Sequence, residues 1–241
     1  MSIYKLEGGY KSYRNYVIDY LDRIMDTKNF IVVHGLTGVG KTDLLNILQE
    51  KQVDNIDLEG IAKNSGSTFG FITHDQKPPT QKNFESKIFE KIFFSKSDYI
   101  FIESESKRVG HVLIPNNIYD AIVRDGYHIL LECSLNNRVK RLCRDYVYDK
   151  DENNINILKE CINKFRKRLG HNKVDEYINL LEEGKYEELV EKYLVEYYDP
   201  LYMHSVNKYK YNQVINFDDI DNAVEEVIKF HQSAMEGAIK C

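Results

Sequence analysis

Eight consecutive residues, Gly35-Leu36-Thr37-Gly38-Val39-Gly40-Lys41-Thr42, constrain this chain more than any other stretch. Glycine stands first and sixth, and lysine and a hydroxyl residue follow, which is the spacing of a phosphate-binding loop. The backbone of such a loop curls with its N–H groups pointing inward, in conformations that a Cβ opposes. Ahead of it, Phe30–His34 is mostly apolar and β-branched, as a buried strand is; behind it, leucines recur at helical spacing from Lys41 onward. A strand-loop-helix unit of this kind rests an anion on bare amides. The helix adds the positive end of its dipole, Lys41 adds a point charge, and Thr42 can ligate a magnesium ion. Such a site favours a di- or triphosphate.

The rest of the chain is read around that unit. Strands are expected at Phe30–His34, Val53–Asp57, Tyr99–Glu103, His128–Cys133 and Gln213–Phe217. Helices are expected near Thr42–Glu50, Lys82–Phe93, Leu135–Tyr148, Asn154–Arg168 and Asp219–His231. This alternation predicts an α/β fold of the P-loop NTPase type: a parallel sheet with helices on both faces, ligands at the carboxyl ends of its strands, and a charged helical insertion over residues 149–204 before the last strand. With 241 residues, 42% of them hydrophobic, the chain can bury one sizeable core. No apolar run approaches the length of a membrane span, so a soluble, cytoplasmic protein without a membrane partner is expected. Cys133, Cys143, Cys161 and Cys241 show no paired spacing, and reduced thiols with neither disulfide nor zinc are expected.

The strand ends supply the candidate chemistry. Asp57 and Glu59 close the second strand, and "YIFIESESKRVG" places Glu103, Glu105 and Arg108 at and beyond the end of the third. Glu103 stands where phosphate-loop proteins keep an acid beside magnesium, so Thr42 and Glu103 are the candidate metal residues. The net charge of −5 argues against a protein that coats nucleic acid indiscriminately, DNA included. Two basic clusters nevertheless stand out: Arg138, Lys140, Arg141 and Arg144 in "RVKRLCR", and Arg166, Lys167 and Arg168 in "KFRKR". Each reads either as an RNA-binding face or as a solvated helix surface.

Five stretches in order, "HGLTGVGKTDLL", "IDLEGIAKNSGSTFG", "PPTQKNFE", "FIESESKRVG" and "EYYDPLYMHS", resemble the carboxyl-terminal phosphate-loop domain of the bacterial tRNA 2-selenouridine synthase family. The resemblance runs from about Lys5 to Phe230 and implies a reaction. Members act at the wobble uridine in the anticodon of lysine, glutamate and glutamine tRNAs. They take 2-thiouridine through an S-geranyl intermediate to 2-selenouridine, with geranyl diphosphate and selenophosphate as donors. By this resemblance Gly35, Thr37, Gly38, Val39, Gly40, Lys41, Thr42 and Ser67 would bind the donor, with Lys41, Asp57, Glu103 and Arg108 as the catalytic set. Gly66, Glu59, Gln81, Lys82, Glu105, Ser106 and Gly110 fall on the same motifs. The loop would then hold geranyl diphosphate instead of, or besides, a nucleotide such as ATP or GTP.

Full-length members also carry an amino-terminal rhodanese domain whose cysteine serves the selenium step. Residues 1–28 look like the linker that follows it, and 29–241 like the phosphate-loop domain. The resemblance therefore implies either a separate rhodanese polypeptide as partner or a piece of a longer chain; Tyr10, Tyr13, Val17 and Tyr20 recur near helical spacing, which suits a docking seam for that partner and equally packing on the chain's own core. Two other readings use the same loop. A small-molecule or nucleotide kinase would take Asp57 as its base, and a noncatalytic tRNA-docking subunit would bind a phosphate only to shape the complex.

Overall fold

The computed structural model describes residues 5–24, 27–64, 77–147, 152–237 and 239. Five parallel strands form the sheet: β1 (Asn29–His34), β2 (Asn55–Ile56), β3 (Tyr99–Glu103), β6 (Tyr127–Glu132) and β7 (Gln213–Asn216), in the order β2-β3-β1-β6-β7. A two-stranded ribbon, β4 (Arg108–Val109) and β5 (Val112–Leu113), follows β3. The expected α/β class, with helices on both faces of a parallel sheet, is what the chain adopts.

Alternation along the strands sorts the core into two layers. On one face, Ile31, Val33, Phe101, Ile129 and Ile215 pack on α2 (Lys41–Glu50) and α12 (Ile220–Met235) through Leu44, Leu45, Leu48, Val224 and Val227. On the other, Phe30, Val32, Ile100 and Ile102 pack on α1 (Gly9–Asp22), α4 (Gln81–Phe93) and α5 (Asn116–Asp120), the last continued by a π-helical turn over Ala121–Asp125. Because β1 lies between β3 and β6, the chain first builds the β2–β3 side of the sheet and then crosses to the β6–β7 side. The crevice at the carboxyl ends falls there, with the phosphate loop in it.

Between β6 and β7 the chain builds a third, separate core from helices: α6 (Leu135–Tyr146), α7 (Glu152–Asn163), α8 (Arg166–Leu169), α9 (His171–Glu182), α10 (Tyr186–Tyr193), a π-helical turn over Leu194–Tyr198, and α11 (Asp199–Val206). Tyr177, Phe165, Val174 and Leu181 are among its buried residues. The helix expected over Asn154–Arg168 is divided into α7 and α8. Among the described residues no helix is long and apolar enough to cross a membrane.

The structure decides three local details. The strand expected over Val53–Asp57 is only Asn55–Ile56, because Asp57 turns the chain into α3 (Leu58–Ala62) by accepting the Gly60 N–H at 2.7 Å. Residues 9–22 are a helix, and the spacing read as a docking seam closes on the chain's own core. Val17 and Leu21 are buried beside α4, and Tyr13 and Tyr20 meet Phe89 edge-on. Gln81 opens α4 and pins the ribbon, donating to the Leu113 carbonyl at 2.7 Å and accepting its N–H at 2.8 Å. Since Leu21 is 3% exposed, Leu21→Ala is expected to destabilise the domain by about 2–4 kcal/mol in urea unfolding. A change under ~0.5 kcal/mol would show that α1 is not part of the cooperative unit.

Candidate phosphate-binding site

The loop from Gly35 to Thr42 leaves β1 and enters α2 with the geometry its glycines permit. Gly38 has φ +78° and Gly40 φ +105°. A Cβ on Gly40 would lie 2.6 Å from the Phe217 ring and 3.0 Å from Cζ of Arg141, so both the conformation and the space require glycine. Gly40 is also the N-cap of α2, and no side chain caps the helix, which leaves its first N–H groups free to meet an anion. Val39, expected to contact the ligand, is 2% exposed with its side chain in the core, so it can offer only its backbone.

Two arginines expected to face RNA instead brace this loop from behind. Arg138 is 4% exposed; its Nε donates to the Thr37 carbonyl at 2.9 Å and its two terminal nitrogens to Asp199 at 2.9 and 2.6 Å. Arg141 donates to the Gly38 carbonyl at 2.7 Å and to Asp43 at 2.8 Å. The correction has a simple physical origin. Two carbonyls of the loop turn outward and need donors, and guanidinium supplies them in a fixed fork. Arg144 pairs with Asp43 and Asp145, and Arg166 with Asp175. Lys140, Lys167 and Arg168 remain exposed, Arg168 donating to the Tyr197 hydroxyl at 2.7 Å.

Beside the loop lies a cluster of acids. Register pairs Val33 of β1 with Glu103 of β3, which brings Glu103 alongside the phosphate loop. Oxygens of Glu59, Glu103 and Glu105 lie within 4.8 Å of one another. Glu103 is fully buried: Oε1 accepts the Glu59 N–H at 2.7 Å, while Oε2 has no partner. Burial first, then the neighbouring carboxylates, push Glu59 and Glu103 well above the usual carboxylate range, and nearby Lys41 pulls Glu59 back down. An orphaned buried carboxylate oxygen facing two others is a donor set that suits a hard divalent cation such as magnesium. Thr42, the other expected metal residue, is exposed in the first turn of α2.

The remaining expected residues separate. Asp57 is close enough to raise the Glu103 carboxyl, yet its Oδ1 is committed to capping α3. Arg108 is exposed on β4, and among the described residues no contact joins it to the loop. Ser67 and Gly66 lie outside the described residues. Tyr198 is buried in the insertion core with Tyr202 stacked on it at 5.8 Å, so these rings pack a core edge. Cys133 is half-buried and its thiol donates to Asp218 at 3.0 Å; burial and that carboxylate hold it protonated, unlike a reactive thiolate.

Sequence reasoning missed a histidine pair under the loop. His34, the residue before Gly35, meets His128 of β6 ring to ring at 2.8 Å, one nitrogen donating to the other, with Tyr209 and Tyr211 around them. Burial, then His128 and Lys41, lower His34 to about 3, and burial lowers His128. The only sequence signal was two polar residues at strand positions facing the same layer.

The comparisons with known proteins agree with this geometry. Residues 28–235 match the family model described as tRNA 2-selenouridine synthase AAA domain. The tRNA 2-selenouridine synthase of Shewanella halifaxensis is 31% identical over 230 residues, covering 84% of this chain and 61% of that protein. That of Hydrogenovibrio crunogenus is 31% identical over 232 residues, covering 86% and 62%. The chain thus spans about three fifths of the length of the curated relatives it matches.

Two outcomes follow from the site. A histidine held neutral in the fold but protonated in the unfolded chain contributes stability above pH ~6.5 that is lost as pH falls, at about 1.4 kcal/mol per pH unit. His34→Gln should therefore flatten the loss of stability between about pH 6.5 and pH 5 in urea titrations, whatever its effect at neutral pH. Asp199→Ala leaves Arg138 buried without its carboxylate and should cost about 3–5 kcal/mol by the same method.

Proposed function

The chain belongs to the tRNA 2-selenouridine synthase AAA-domain family, and from that premise we propose that it is the donor-binding half of a tRNA wobble-uridine-modifying transferase. The donor in this reading is geranyl diphosphate, held by its diphosphate in the Gly35–Thr42 loop. The observation that carries it is the meeting of an anion cradle with a three-carboxylate cluster next to Lys41. A diphosphate that departs gains charge, and amides, an ammonium and a divalent cation at that point stabilise the gain. Glu59, Glu103 and Glu105 would hold magnesium, which supplies Lewis-acid stabilisation of the diphosphate when bound.

The protein's own task is then positioning. The sulfur of 2-thiouridine attacks C1 of the geranyl group, the C–O bond to diphosphate breaks, and the uridine gives up its N3 proton as the S-geranyl product forms. Lys41 and the loop amides hold the departing oxygens, while the exposed Lys140, Lys167 and Arg168 offer charge to the anticodon arm of lysine, glutamate and glutamine tRNAs. Conversion to 2-selenouridine would draw on selenophosphate and a rhodanese-domain polypeptide, since the described cysteines here are buried or protonated. The kinase reading is less well supported, because Asp57, its base, is occupied as a helix cap.

The test is mass spectrometry of nucleosides from thiolated tRNA incubated with the full chain, geranyl diphosphate and magnesium. S-geranyl-2-thiouridine is expected, and its absence, with steady phosphoryl transfer from ATP, would replace this reading by the kinase. Lys41→Ala should remove the product and lower diphosphate affinity by ~10-fold or more in calorimetry, with the circular dichroism melt unchanged.

A further inference from the structure

Along the β2 edge of the sheet, between α3, α4 and the end of α2, runs an open cleft of about 630 Å3 that the mechanism above does not use. Lys63, Lys87 and Lys91 line it, the last two one turn apart on α4. Lys91 reaches only the Gln49 amide oxygen, at 3.4 Å, and no ion pair among the described residues involves Lys63 or Lys87. Two of the acids beside them are spent on the backbone: Asp54 accepts the Lys96 and Ser97 N–H groups at 2.7 Å each, and Asp57 caps α3. Glu90 is exposed. Lys63 ends α3 at φ +54°, a left-handed conformation in which glycine is the usual residue. Phe94, also in the wall, is 74% exposed; Phe93 meets it edge-on at 5.1 Å and is itself propped by Tyr16 at 6.4 Å.

Ammonium groups without carboxylate partners, set beside a bare aromatic face, are the two parts of a site for unpaired nucleic acid: charge follows the phosphates and the ring stacks a base. A protein partner fits less well, since lysine is depleted in the interfaces that proteins make with one another. Position agrees with RNA. Helix α3 carries both Glu59 of the carboxylate cluster and Gly60 and Ile61 of the cleft wall, so the cleft begins behind a helix that bounds the site. The basic residues of the insertion leave the sheet from β6, on the far side of β1. We infer that the cleft is a second RNA contact, in which Lys63, Lys87 and Lys91 hold backbone phosphates and Phe94 stacks one unpaired base. The inference rests on the tRNA reading above and adds a surface to it. The RNA then spans the phosphate loop, held at the insertion on one side and at the β2 edge on the other.

Fluorescence anisotropy of the full chain with a labelled anticodon stem-loop of a lysine tRNA carrying 2-thiouridine, over a salt series, tests this. Lys63→Gln, Lys87→Gln and Lys91→Gln combined should weaken binding ~10-fold or more and lower the slope of log affinity against log salt by about 2. Phe94→Ala should weaken it ~5-fold or more with the slope unchanged, and Phe94→Tyr should restore it. Lys87→Gln with Lys91→Gln serves if the triple variant fails to melt cooperatively. An affinity and slope that the lysine variants leave unchanged would overturn the inference and turn the cleft over to a protein partner. Lysine variants that act while Phe94→Ala does not would overturn the stacking role. Failure of the unaltered chain to bind the stem-loop would sink the tRNA reading as well.

Discussion

The guanidinium of Arg138 joins three parts of the molecule that are distant in sequence. It holds the Thr37 carbonyl of the phosphate loop, it is carried by α6 directly after the fourth sheet strand in chain order, and it grips both oxygens of Asp199 at the start of α11. Burying an ion pair costs desolvation, which bidentate geometry and the extra carbonyl offset. Arg141, one helical turn on, repeats the arrangement with Gly38 and Asp43. The loop's concave shape therefore depends on cations that stand behind it. Lysine in either place would bring a point charge without the planar fork, and could not hold a carbonyl and a carboxylate in one plane.

How far all this could be read from the sequence follows the range of the forces involved. The loop was legible because its backbone demands glycine at fixed places, and the central strands because Phe30–Val33 and Tyr99–Ile102 are apolar on both faces. Asp219 likewise announces α12 as its N-cap. Asp57 misled for the opposite reason, since an acid after Asn55 and Ile56 looks the same whether it ends a strand or caps the next helix. Arg138 and Arg141 misled because a run of basic residues has the same local pattern on a solvated face as behind a loop. The partner that decides, Asp199, is 61 residues away. The tyrosines of α1 showed helical spacing but not what the spacing packs against. The acids at 59, 103 and 105 were each visible, and only the pairing of β2 with β3 makes them neighbours.

Charge and apolar surface are thus divided between two parts of the fold. The sheet contributes amides, Lys41 and the carboxylates, all gathered at strand ends where the backbone already presents its dipoles. The insertion contributes a separate aromatic and aliphatic core, held to the sheet at the back of the loop.

One of the two π-helical turns lies at that junction. The one over Leu194–Tyr198 ends at the residue before Asp199, so the wider turn fixes the angle at which the carboxylate leaves the helix. Because the loop and the insertion share Arg138, they also share a free energy. Whatever folding of the insertion adds to anion affinity, an anion in the loop must return as resistance of the insertion to unfolding, in equal amount. The insertion is in this sense a thermodynamic partner of the candidate phosphate loop, and damage deep among its helices would be felt at the loop through Arg138.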